Sequence, residues 1–177
     1  NANLPADISL SWVTPIGLDF HARFSAVARR YRYVIYNDPI RPAHLAHEVT
    51  WNYRPLDIQR MRVAARALVG THDFTSYRAV GCQAKSPIKT IHHLELLEFG
   101  RFIVLDIRAN AFLHHMVRNI AGVLMQIGCG EQPVEWAQQV LEVRDRAQGG
   151  LTAPAYGLYL VDVTYPETFA LPERYLG

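Results

Sequence analysis

An α+β domain, with a largely antiparallel sheet and helices packed on one face, is what this 177-residue sequence predicts. Three observations carry the prediction. Period-two apolar stretches are mixed with helical-period ones, without the regular alternation of a βαβ series. Ile91 to Leu97 and Phe102 to Arg108 read as a hairpin joined near Gly100. No repeat, low-complexity tract or long linker divides the chain, so residues 1–177 are expected to form a single domain.

The elements follow in order. Ile8, Leu10 and Trp12 alternate with Ser9, Ser11 and Val13, which predicts a strand broken by Pro15-Ile16-Gly17. A second strand runs from Ala28 to Tyr36. Tyr31, Tyr33 and Ile35 share one face of it, and Arg30, Arg32, Val34 and Tyr36 the other. Asn37-Asp38-Pro39 ends it by turn chemistry. Asp57 is placed to cap a helix over Ile58–Val69 with Ile58, Met61, Ala65 and Leu68 inward, stopped by Gly70. Arg62 and Arg66, four apart, fall on its exposed side.

After the hairpin, Ala111 to Ile127 carries Met116, Ile120, Val123, Leu124 and Ile127 at helical spacing, ending at Gly128. Pro133 opens a helix over Val134–Val143, with Trp136, Val140 and Val143 inward. Ala147 to Pro154 reads as the loosest stretch, and Leu158 to Val163 as the last strand.

Composition removes several function classes. No apolar run reaches the roughly 18 residues needed to span a bilayer, so no membrane association is expected. Cys82 and Cys129 are too few for a disulfide scaffold or a multi-cysteine zinc site, and point to a reducing cytoplasm. The sequence opens on Asn1 without a signal-peptide pattern, so a chain cut or processed from a longer one is expected. His92-His93 and His114-His115 are adjacent pairs whose side chains should diverge, and neither HExxH nor CxxC occurs, so no metal is expected. GxSxG, GxxxxGK[ST] and strand-leading GxGxxG motifs are likewise lacking, so no nucleotide cofactor is expected.

The net charge of +2 conceals a bias. Lys85 and Lys89 are the only lysines, so sixteen of the eighteen basic residues are arginine. Nine of these lie between Arg23 and Arg66, against Asp38, Glu48 and Asp57. Arginine binds phosphate as a planar fork and stacks on bases, so this imbalance fits a phosphate-rich partner or a solvated arginine-rich surface. Arg29-Arg30-Tyr31-Arg32-Tyr33 sets rings on one strand face and cations on the other. Such rings either stack on unpaired bases, at roughly 1–3 kcal/mol per base, or pack in the core. Arg118 flanks the apolar stripe of its helix; it either reaches for water or is a buried guanidinium tuning a carboxylate.

Several words occur together. Asn1-Ala2-Asn3-Leu4-Pro5, Phe20-His21-Ala22-Arg23-Phe24-Ser25-Ala26, Arg29 to Tyr33 and His72-Asp73-Phe74 are four of them. Ala111 to Ile120 and Gly157-Leu158-Tyr159-Leu160 complete the set. In this order they resemble the bacterial tRNA pseudouridine synthase A family nearly end to end.

The resemblance implies isomerisation of uridine to pseudouridine in the anticodon stem-loop of tRNA, without metal or organic cofactor, by a cytoplasmic homodimer with a basic cleft. It also implies an essential aspartate in an Arg-Thr-Asp-Ala-Gly-Val-His-like segment of the amino-terminal half. That segment is absent from these residues, and none of the aspartates present sits in a matching context. The sequence therefore reads as the carboxy-terminal domain of such an enzyme, inactive alone.

By the same resemblance, Tyr31 stacks on the target uracil, Arg118 pairs with the aspartate as a catalytic residue, and Leu158 packs beside the base. Arg23, Arg29, Arg30, Arg32, Arg62 and Arg66 are candidates for RNA binding. Two rivals remain: a non-catalytic RNA-binding module with a base-stacking sheet face, and a dimerisation scaffold in which Tyr31 belongs to the core.

Overall fold

The computed structural model describes residues 1–172. Among these residues the α-helices and strands are β1 (Ala28–Asn37), β2 (Thr50–Asn52), α1 (Ile58–Arg66), β3 (Gly70–Asp73), β4 (Ile88–Phe99), β5 (Phe102–Ala109), α2 (Met116–Gly128), α3 (Trp136–Val143) and β6 (Leu158–Thr164). They build the α+β architecture: a six-stranded, mostly antiparallel sheet in the order β2-β1-β5-β4-β3, with β6 also beside β1. β5 lies along one edge of β1. β6 takes the first half of the other edge, antiparallel, and β2 takes its end, parallel.

β1 is central because its alternation serves both faces. Tyr33 and Ile35 join Leu105, Ile107, Ile103, Ile91 and Leu96 in a buried layer under α1 and α2. α1 contributes Ile58, Met61, Ala64 and Ala65 to that layer, and Asp57 caps it by accepting from the backbone N–H of Gln59 and Arg60. Met116, Ile120, Val123, Leu124 and Ile127 of α2 complete the core. Among the described residues no helix is long and apolar enough to cross a membrane.

Several sequence expectations need correction. Ile8 to Val13 is not a strand, and Ile8, Leu10 and Trp12 are 51%, 59% and 45% exposed. Alternation makes a strand only where a neighbour takes up the backbone groups. Here Leu10 instead exchanges hydrogen bonds with the Asn1 side chain. β2 and β3 went unrecognised because three or four residues carry no period. α1 ends at Arg66, although Leu68 beyond it is still fully buried.

α2 starts at Met116 rather than Ala111, because His115 adopts a left-handed conformation (φ 61°) and leaves Ala111–Leu113 outside the helix. α3 starts at Trp136, and it turns Ala137, Val140 and Leu141 inward while Val143 is exposed.

On the outer sheet face, Arg30 and Arg32 converge on Asp106. Arg30 Nε and Nη2 donate to its two oxygens at 2.6 and 2.8 Å, and Arg32 Nε donates at 2.8 Å. Asp106 is 1% exposed. Burial alone would raise its pKa, but the hydrogen bonds and charges of Arg30 and Arg32 outweigh burial and lower it. A depressed folded-state pKa contributes stability that is present above the unfolded value of about 3.9 and lost as pH falls through the folded one. Asp106→Asn is expected to cost roughly 2 kcal/mol at pH 7, discounted because both arginines are partly solvated. Thermal melts of both proteins from pH 7 to pH 2 should show that gap closing on acidification; a gap independent of pH would refute the assignment.

Candidate active site

The inner face of β1 leaves the core at its amino-terminal end. There Tyr31 is half-buried while Tyr33, two residues on, is completely buried. A register shift against β6 between Arg30 and Tyr31 inserts Val161 and re-aims this part of the sheet. Two tyrosines that strand periodicity puts on one face, and that only the family resemblance separates, thus part company. Tyr33 is core, and its pKa is pushed up to about 12 by burial. Its hydroxyl donates to the Pro154 carbonyl at 2.8 Å. Tyr31 instead faces a cavity.

That cavity, of about 570 Å³, has Tyr31, Arg118, Leu158 and Arg23 in its wall, together with Phe112, His114 and Cys82. Phe112 presents itself to the Tyr31 ring nearly edge-on, at 5.1 Å between centroids and 88° between planes. The Tyr31 hydroxyl makes no hydrogen bond within the described residues, so it is available to a ligand. Leu158 opens β6 opposite Tyr33 and, by the strand period, shares the Tyr31 side of the sheet. The result is an aromatic and aliphatic slot of a size that admits a flat base.

Its charge is one-sided. Arg23 and Arg118 line it with His114 and His115, and among the described residues no carboxylate does. Arg118 sits in the first turn of α2, where the helix dipole adds positive potential. Its Nε donates to the Ala153 carbonyl at 2.7 Å, a neutral acceptor that leaves the charge unbalanced. Adjacent histidines were expected to diverge; the left-handed His115 instead brings its ring to 3.9 Å from that of His114. Burial lowers the His115 pKa, and the neighbouring His114, Arg118 and Arg146 charges lower it further. Among the described residues no group of three or more His, Cys, Asp or Glu could hold a metal ion.

Arg23 reaches the cleft on a tight turn: His21 Nδ1 accepts from the Arg23 and Phe24 N–H groups, and Ser25 Oγ accepts from the His21 N–H at 2.9 Å. Arg29 secures that turn from beneath, donating to the carbonyls of Arg23 and Asn110. Arg30 and Arg32 lie on the opposite sheet face with Asp106. Arg62 is on α1 and donates to the Leu96 carbonyl at 3.0 Å, and Arg66 is exposed at the end of that helix. The six arginines therefore do not form one surface. Sequence reading missed Phe112 and Ala153. Phe112 fell inside what looked like helix, and Ala153 acts through its backbone, which leaves no mark in side-chain chemistry.

A family model described as tRNA pseudouridine synthase matches residues 64–166. A protein named tRNA pseudouridine synthase A from Pseudomonas aeruginosa is 76% identical over the whole chain, which spans 62% of it. Proteins of the same name from Alcanivorax borkumensis and Coxiella burnetii are 62% and 54% identical over the whole chain, which spans 66% and 68% of their lengths.

Proposed function

The chain belongs to the tRNA pseudouridine synthase family, and from this premise we propose that it is the carboxy-terminal part of an enzyme that isomerises uridine to pseudouridine in the anticodon stem-loop of tRNA. One observation carries the reading: Tyr31, Arg118 and Leu158 line a single cavity in which, among the described residues, cations have no carboxylate partner. The absent partner fits an aspartate supplied by a segment outside these 177 residues.

The reaction breaks the N1–C1′ bond, forms C5–C1′, releases the C5 proton and returns a proton to N1. The detached uracil must turn over without leaving. Tyr31 and Leu158 would grip its faces while permitting rotation, and the target nucleotide must first leave its stack to reach them. Arg118 would hold the aspartate ionised in a slot where an unpaired carboxylate would otherwise take up a proton. The free Tyr31 hydroxyl is placed to help take the C5 proton. Arg23, at the cleft mouth, suits a phosphate flanking the flipped nucleotide.

The wider assembly is a homodimer in the cytoplasm. Exposed Ile8, Leu10, Trp12, Val13 and Leu160 favour a further polypeptide surface against this part of the chain.

Tritium release from C5-labelled uridine in an anticodon stem-loop is the test. The chain alone should release none, and the full-length protein should turn over. In the latter, Tyr31→Ala should lose at least a hundredfold in rate while retaining RNA binding to within tenfold. Turnover by residues 1–177 alone would refute the incomplete-site reading. Salt-sensitive tRNA binding by a full-length protein that carries no aspartate segment and never turns over would establish the non-catalytic binding module instead.

A further inference from the structure

From Gly150 to Tyr156 the chain has no regular structure, yet successive groups along it are held from below. Arg146 Nη1 donates to the Gly150 carbonyl at 3.0 Å, and Nη2 donates to Thr152 Oγ1 at 3.0 Å and Asn119 Oδ1 at 3.3 Å. Thr152 Oγ1 in turn donates to Asn119 Oδ1 at 2.6 Å. Asn119, 1% exposed, is oriented by its own donation from Nδ2 to the Tyr77 carbonyl at 2.7 Å. Next along the chain, Ala153 N–H donates to the Arg118 carbonyl at 3.2 Å, and the Ala153 carbonyl accepts from Arg118 Nε at 2.7 Å. The stretch expected to be the loosest is a strap across α2.

We propose that Asn119, Arg146 and Thr152 are positioning residues that fix the Ala153 carbonyl and, through it, the guanidinium of Arg118 in the cleft. An arginine side chain gives up much of its rotamer freedom when held in one geometry. A single hydrogen bond orients it only if the acceptor cannot move. Ala153 is in an irregular segment, so its carbonyl gains no rigidity from a helix or sheet ladder. The rigidity comes from the neighbouring Thr152 hydroxyl, which is shared between a buried amide and a guanidinium fork. Arg146 makes no ion pair with an Asp or Glu among the described residues, and its three hydrogen bonds go to neutral oxygens of this network. That is the geometry of a bracket rather than of a surface charge. The inference deepens the proposed site and rests on that reading for its catalytic meaning, but not for its geometry.

The test reads Arg118 directly. Hydrogen exchange of the arginine Nε–H groups is followed by NMR in the ¹⁵N-labelled chain. Arg62, whose Nε donates to Leu96 at 3.0 Å, and Arg60, whose Nε donates to Ile127 at 3.2 Å, serve as internal references. Thr152→Val keeps the shape and removes the hydroxyl. It should speed Arg118 Nε–H exchange at least tenfold while Arg60 and Arg62 are unchanged, and Thr152→Ser should restore protection. Unchanged Arg118 exchange, or equal acceleration at all three arginines with a lowered Tm, overturns the proposal. In the full-length protein Thr152→Val should lower kcat about tenfold with KM for tRNA within twofold. Faster Arg118 exchange with unchanged kcat would leave the bracket standing and refute the role of Arg118 in the reaction.

Discussion

Arg118→Ala in the full-length protein is expected to lower kcat by roughly a thousandfold, equivalent to about 4 kcal/mol, with little change in fold. The size follows from what the guanidinium does in the cleft. Arg118 lies in the first turn of α2, in a cavity that no carboxylate lines among the described residues, and its Nε donates to a backbone carbonyl. Losing that bond should cost about 1 kcal/mol of stability. Losing the charge should cost far more in rate, because an incoming carboxylate would then be desolvated without an opposite charge. Its pKa would rise, so the acid limb of the kcat profile should move to higher pH. Arg118→Lys keeps a charge but not the planar fork and should recover part of the loss. Wild-type turnover in Arg118→Ala, with an unshifted acid limb, would refute the pairing.

Legibility in the sequence followed the range over which each feature is determined. β1, the β4–β5 hairpin and α1 could be read because period, turn and cap are local: Asp57 caps α1, and Gly100 sits in the turn with φ 59°. The start of α2 could not be read, because the left-handed His115 is a single backbone state inside an unbroken apolar pattern. Arg30 and Arg32 looked free for RNA because their partner, Asp106, lies more than seventy residues further along and meets them only through β1–β5 register. Tyr31 and Tyr33 were equivalent by strand period, and only the family resemblance singled out Tyr31. The end of the helical layer makes one a core residue and the other a wall of the cleft. The strap was invisible for another reason: its work is done by carbonyls, and side-chain identity says nothing of where a carbonyl points.

Gly122→Ala is expected to destabilise the chain by about 3 kcal/mol, or roughly 10 °C in Tm, against the direction that helix propensity alone would give. In an exposed helix interior the same change would stabilise by up to about 1 kcal/mol. Here a Cβ at Gly122 would stand 1.8 Å from the Leu151 carbonyl oxygen and 3.3 Å from Ala153 N. Both are backbone atoms of the strap, and no rotamer change can move them. The strap must lift or α2 must shift, and α2 is held by buried Ile120, Ala121, Val123 and Leu124. The strap is therefore the part that yields. Lifting it would break the paired hydrogen bonds between Ala153 and Arg118, so faster Arg118 Nε–H exchange should accompany the fall in Tm. A Tm that rises, with Arg118 still protected, would mean that the close crossing of strap and helix does not exist in solution.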